Sequence, residues 1–311
     1  MSTHLHHPVV LGAGPVGRAV VARLVERGAH PTVVTRSGTE LVGADAVAAD
    51  VTDPVVAKTV LGHATAVFQC AQPPYHRWAE EFPGLQRTIV EGCEAAGAHL
   101  IALENLYGYG RPDGPMTEDH PMRPHTAKGR VRAAMWDELH AAHTQGRVRT
   151  AAVRASDFFG PGVAMSTYGE RFFPRLLAGR KAELLGDPET RHSITYVPDV
   201  AAAMVRVAED ESAWGRAWHV PTAPAITQRE IVELAAEAAG AEATYTEVHR
   251  WMLRLAGLVN PGAKETIEML YEFEHDFVID SSAFEARFDM TATPLATALD
   301  ETIEWFRGQA S

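Results

Sequence analysis

The sequence predicts an α/β protein: a doubly wound parallel sheet with helices on both faces, plus a smaller C-terminal lobe. Three observations predict it. Short apolar runs alternate with helix-period segments through the first half of the chain. A glycine-rich turn joins the first run to the first helix. Beyond about residue 155 the pattern turns irregular and then mostly helical. Strands alternating with helices imply a parallel sheet covered on both faces.

The elements follow in order. Val9-Val10-Leu11 is a strand run, and a helix pattern covers Arg18 to Arg27 until Gly28 ends it. Thr32 to Thr35, Ala46 to Ala49, Ala66 to Cys70 and Leu100 to Leu103 read as the second to fifth strands. A helix over Gly84 to Ala96 precedes the fifth, and a long one over Lys128 to His143 follows it. Val148 to Val153 is the next strand, Pro198 to Glu209 a helix and Ala217 to Val220 a strand. Thr227 opens a helix over Gln228 to Ala239, and Asp300 to Arg307 closes the chain. The expected division is a core of residues 1–155, to which 193–222 return, and a lobe of 156–192 and 223–311.

Composition bounds the function. The 311 residues are 46% apolar and 22% charged, as in an ordinary globular chain of about two domains. A net charge of −12 disfavours nucleic acid or an anionic membrane as partner. No apolar run reaches the ~18–20 residues of a membrane span. Two cysteines, Cys70 and Cys93, are too few for a disulfide scaffold, so a cytoplasmic location is expected. His4, His6 and His7 lack the partners of a metal cage, so no metal is expected and the start reads as frayed.

Gly12-Ala13-Gly14-Pro15-Val16-Gly17 carries the chemistry. G-x-G-x-x-G between a strand and a helix is the dinucleotide turn of a Rossmann-type fold. Gly12 permits the tight turn, Gly14 lets a pyrophosphate approach, and Gly17 lets helix and strand pack closely. The helix N-terminus offers N–H groups to the phosphates. At the end of the second strand stand Thr35, Arg36 and Ser37, with no acid until Glu40. An arginine there suits a 2′-phosphate, favouring NADP(H) over NAD(H). Stacking on adenine or facing solvent is the other reading of Arg36. In Asp50-Val51-Thr52-Asp53 an aspartate either accepts from the adenine amino group or caps the next helix; a shared arrangement would put Asp50 on adenine and Asp53 at the cap.

The chain resembles the extended short-chain dehydrogenase/reductase family, also called the NAD-dependent epimerase/dehydratase family. The likeness rests on the glycine turn, Asp50-Val51-Thr52-Asp53, Val67-Phe68-Gln69-Cys70-Ala71 and Leu106-Tyr107-Gly108. It continues in Met116 to Pro121, Arg154 to Gly162 and Thr195 to Val200. It implies that Pro15, Val16, Val51 and Ala71 join the glycines around the cofactor. Family members carry Tyr-x-x-x-Lys at the start of the long helix, where this chain reads Lys128-x-x-x-Arg132. The resemblance then implies that Lys128 replaces the tyrosine as proton donor or charge stabiliser beside the cofactor. Arg132 would hold the nicotinamide ribose. Isoflavone-reductase-like relatives also use a lysine in this role. An exposed basic face is the alternative for both residues. Asn105 and Tyr107 follow the fifth strand as further catalytic candidates. Tyr75 reads as a pocket wall, and Met165, Tyr168 and Arg171 fall where the family builds its substrate pocket.

These residues lead to an expected NADP-dependent oxidoreductase of a small organic carbonyl, enone or imine. A nucleotide-sugar epimerase or dehydratase is the second reading, and a non-catalytic NADP(H) sensor the third. The resemblance also implies a homodimer formed by the helices near Gly84 to Ala96 and Lys128 to His143.

Overall fold

The computed structural model describes residues 5–258 and 265–309. It divides into two compact units. The first comprises residues 1–108, 128–154 and 200–218; the second comprises 109–127, 155–199 and 219–311.

The central sheet has seven parallel strands. Six are β1 (Pro8–Leu11), β2 (Thr32–Thr35), β3 (Asp45–Ala48), β4 (Ala66–Gln69), β5 (His99–Asn105) and β6 (Thr150–Ala155). The seventh is Ala217–His219, and across the sheet the order is seventh, β6, β5, β4, β1, β2, β3. Val10 of β1 lies between Val33 of β2 and Phe68 of β4 in register. Strand order reverses between β1 and β4, which is where open α/β sheets bind ligands beyond their carboxyl ends. Every residue of β1, β4 and β6 is buried, as a strand covered on both faces requires.

Four helices position the candidate residues: α1 (Pro15–Glu26), α2 (Pro54–Leu61), α3 (Trp78–Ala96) and α4 (Ala127–Thr144). Asp53 caps α2, accepting hydrogen bonds from the N–H groups of Val55 and Val56 at 2.8 and 3.2 Å. The main difference from the sequence reading is α3, which starts six residues earlier than expected. Pro83 lies inside it rather than ahead of it. The proline removes one N–H donor, and burial of Trp78 and Phe82, 4% and 2% exposed, offsets that loss. Trp78, Phe82, Leu85, Ile89, Leu100 and Leu139 join the strands in the core of this unit.

In the second unit the irregular stretch resolves into short strands at Asp157–Phe159, Ala182–Leu185, Arg191–His192 and Ile194–Tyr196. Asp157–Phe159 pairs parallel with Ile194–Tyr196. Gly160, at φ +131°, turns the chain where a Cβ would meet the Tyr196 ring at 3.1 Å. Phe159, Phe172, Phe173, Ile231, Phe273 and Phe306 form its core. Thr227 caps the helix Gln228–Ala239 in a capping box with Glu230.

Glu272 is fully buried in this core, and burial raises its carboxyl well above the usual range, with the Asp157 charge adding to the rise. The folded protein therefore binds a proton that the unfolded chain releases. Stability falls as pH rises from the ordinary carboxylate range toward the folded value. Glu272→Gln is expected to remove that slope. Denaturant midpoints of both proteins from mildly acidic to alkaline pH check it; parallel curves contradict it.

Among the described residues no helix is long and apolar enough to cross a membrane, and no cluster of three or more His, Cys, Asp or Glu could hold a metal ion. His4 lies outside the described residues.

Candidate active site

The dinucleotide turn leaves β1 at Gly12, whose φ of +98° is a backbone conformation that favours glycine. A Cβ on Gly12 would also stand 2.9 Å from the Ala71 nitrogen, so the turns after β1 and β4 touch through their backbones. A Cβ on Gly17 would stand 2.0 Å from the Gly12 carbonyl oxygen, which brings α1 directly against the turn. Gly14 is different. It is the N-cap of α1, no side chain caps the helix there, and a Cβ would meet nothing within 4 Å. Pro15 fills the first helical position, where no N–H is needed. The result is open space over the positive end of a helix, which suits a dinucleotide pyrophosphate.

Arg36 is exposed just past β2. Asp50, also exposed, accepts from the Thr52 N–H at 3.0 Å and hydroxyl at 2.8 Å. These bonds hold its carboxyl below the usual range, and the Arg36 charge adds to them. Val51 beside it is buried.

The Lys128-x-x-x-Arg132 pair opens α4 and is buried in the first unit, 4% and 6% exposed. The exposed basic face is thereby excluded. Both cations rest on the aromatic segment that follows β4. Lys128 Nζ lies 4.4 Å from the centre of the Tyr75 ring. The Arg132 guanidinium carbon lies 4.5 Å from the Trp78 ring and 4.4 Å from that of Phe82. Arg132 Nη1 also donates to the Leu103 carbonyl at 3.5 Å. Burial pushes the Arg132 guanidinium down to about 10, against the opposing pull of Glu104, Tyr107 and Tyr75. It stays charged at neutral pH.

Glu104, on β5, supplies the compensating charge. It accepts from Arg154 Nε of β6 at 2.9 Å, with the two side chains 4% and 2% exposed. The Tyr75 hydroxyl donates to the Tyr107 oxygen at 3.4 Å, and the Asn105 side chain accepts the Tyr107 N–H at 3.2 Å. The structure thus brings Lys128, Arg132, Asn105 and Tyr107 into one unit, together with Tyr75. The pocket wall expected at Tyr75 is, in this unit, the bed of the lysine. Sequence reasoning missed the roles of Trp78, Phe82, Glu104 and Arg154. The spacing of Tyr75, Trp78 and Phe82 at i, i+3 and i+7 was the available signal for one helical face.

Met165, Tyr168 and Arg171 belong to the second unit. Met165 is 96% exposed. The Arg171 side chain is exposed and pairs with Glu183 at 3.3 Å. Tyr168 is fully buried, packed edge-on against Phe172 and tilted against His192. His192 Nε2 lies 2.8 Å from Asp157 Oδ2, a pair that the sequence did not reveal.

Residues 9–220 match the profile of the NAD dependent epimerase/dehydratase family. The chain belongs to this family. It is a nicotinamide-dinucleotide-dependent enzyme of the extended short-chain dehydrogenase/reductase type. A comparison with curated proteins returns no match. Among solved structures, the fold is similar to UDP-glucose 4-epimerase of Thermotoga maritima with UDP-glucose. That likeness has a TM-score of 0.81 at 18% identity over 98% of this chain and 100% of that one. UDP-glucuronic acid 4-epimerase of Bacillus cereus with NAD gives a TM-score of 0.80 at 14% identity, over 98% and 100% of the two chains. UDP-glucose 4-epimerase of Thermus thermophilus with NAD gives 0.77 at 22%, over 97% and 99%. At these identities the likeness shows the fold.

These findings correct the leading expectation from sequence. A small-carbonyl reductase has no counterpart among these three structures, which are UDP-sugar 4-epimerases, two of them with NAD, and the family is one of NAD-dependent epimerases and dehydratases. The missing tyrosine bears on which group moves the proton and not on which substrate is oxidised.

Proposed function

We propose that the protein is a nicotinamide-dinucleotide-dependent epimerase of a nucleotide sugar, with a UDP-sugar as substrate. The observation that carries this reading is a dinucleotide turn open at Gly14 in a chain of the epimerase/dehydratase family. Gly12, Gly14, Pro15, Val16 and Gly17 would hold the pyrophosphate. Arg36, Asp50, Val51 and Ala71 would hold the adenosine side. A bound nicotinamide dinucleotide would supply the hydride acceptor and donor for the sugar carbon. The chain's own residues handle the alcohol proton and the charge that moves with it. Lys128, Arg132, Asn105 and Tyr107 are proposed for this work, on the C-terminal edge of the sheet. Met165 and Arg171 are proposed for the sugar nucleotide, whereas Tyr168, expected there from sequence, is fully buried and does not present a contact surface.

Incubation with UDP-glucose, UDP-glucuronic acid or UDP-N-acetylglucosamine plus cofactor is expected to yield an epimeric sugar without net cofactor reduction. No new sugar from any of them overturns the reading.

Arg36, with no acid before Glu40, supports a preference for NADP(H). Arg36→Ala is expected to weaken NADPH binding about tenfold, ~1.4 kcal/mol, and to leave NADH binding unchanged. Calorimetric titration with each cofactor checks it, and a wild-type preference for NADH contradicts it. A cytoplasmic homodimer built on α3 and α4 completes the proposal; elution as a monomer at micromolar concentration counts against the dimer.

A further inference from the structure

Two cations and two phenols share the active-site cluster, and their exposure separates their roles. Lys128 and Arg132 are 4% and 6% exposed, whereas Tyr75 and Tyr107 are half-buried. A substrate hydroxyl therefore meets a phenol before it meets either cation. Lys128 lies on the π face of Tyr75, a position that attracts an ammonium. An ammonium is donor-only, so it cannot take the proton of an alcohol. Arg132 is likewise donor-only and is occupied by two aromatic rings and a carbonyl. A phenol has both functions. The Tyr75 hydroxyl donates to the Tyr107 oxygen, and the Asn105 side chain fixes the turn that carries Tyr107. The charge of Arg132 is attracted to both phenol oxygens in their ionised form.

We infer that Tyr107 is the catalytic acid–base group. Tyr75 is a positioning residue that donates a hydrogen bond to the Tyr107 phenolate, and Lys128 and Arg132 supply fixed positive charge. The inference rests on the sugar-epimerase reading and deepens it. The O–H bond of the sugar alcohol breaks and its proton goes to Tyr107 Oη. The hydride leaves the same carbon for the oxidised nicotinamide dinucleotide, and a C=O bond forms. Tyr107 returns the proton when the hydride comes back. The tyrosine that the family keeps on the long helix is here supplied by the turn after β5. A lysine stands where that tyrosine stood.

The test uses the full chain as wild type, Tyr107→Phe, Tyr75→Phe, Lys128→Met and Lys128→Arg. Tyrosinate formation in the cofactor-free protein is followed by near-ultraviolet absorbance against pH. Turnover is measured with UDP-glucose and cofactor. The wild type is expected to form one tyrosinate at lower pH than its other tyrosines. That step disappears in Tyr107→Phe, moves to higher pH in Tyr75→Phe and Lys128→Met, and returns toward wild type in Lys128→Arg. Turnover falls about a hundredfold or more in Tyr107→Phe, the scale of a lost general acid–base, with KM changed less than about twofold. It falls about tenfold in Tyr75→Phe, and the acid limb of the kcat/KM profile moves upward in Lys128→Met. A Tyr107→Phe variant that keeps more than about a tenth of wild-type turnover overturns the inference. So does a wild-type titration in which every tyrosine ionises at the ordinary value of about 10 or above. If the wild type converts no UDP-sugar, the epimerase reading fails by itself. The titration then decides alone whether the pair is built to hold a phenolate.

Discussion

Gly14→Val is expected to weaken cofactor binding about a hundredfold, ~2.7 kcal/mol, while the protein folds almost normally. The two effects separate because of where the space lies. A Cβ at Gly14 meets nothing within 4 Å of the protein, and the residue's φ of −69° suits any side chain. Valine is a poorer N-cap than glycine, which costs about 1 kcal/mol of stability at most. The volume it occupies lies over the N-terminus of α1, where the pyrophosphate is proposed to sit. Gly17→Ala is the contrasting variant. Its Cβ would stand 2.0 Å from the Gly12 carbonyl oxygen, so α1 must move away from the turn. Stability and cofactor affinity should then fall together. Calorimetry with each cofactor, paired with thermal melts, separates the two. Normal affinity in Gly14→Val means that the cofactor does not use this turn.

Glu104→Ala is expected to destabilise the protein by about 3–5 kcal/mol, the cost of leaving a buried charge uncompensated. The pair with Arg154 is 4% and 2% exposed. Arg132, equally enclosed, is drawn to the same carboxylate. Removing Glu104 leaves two buried guanidinium groups without their anion and a small cavity beside β5. Denaturant unfolding measures the loss. A change below about 1 kcal/mol, the level of exposed pairs, means that the cluster admits water.

The glycine turn and the alternation of strands and helices made the first unit legible, because both are local and periodic. Thr32–Thr35 and Gln228–Ala239 agree at both ends with the sequence reading. The second unit was less legible. Its strands are two to four residues long and gain their order from partners far along the chain, as Ala182–Leu185 does from Tyr245–Val248. The start of α3 was hidden by Pro83, a residue that normally ends a helix or opens it. In the site, Lys128 and Arg132 could be placed on one helical face from their spacing. Their burial could not, because it depends on Tyr75, Trp78 and Phe82, some 50 residues upstream. The Glu104–Arg154 pair joins β5 to β6, a strand adjacency that no local pattern encodes.

The measurement that tests the central claim most directly is nuclear magnetic resonance of the sugar, starting separately from each of two C4-epimeric UDP-sugars. Purified protein is added with catalytic amounts of NAD+ in one series and NADP+ in another. The account predicts that both starting sugars approach the same mixture, with no net change in cofactor redox state. Sugars that remain unchanged with either cofactor would contradict it.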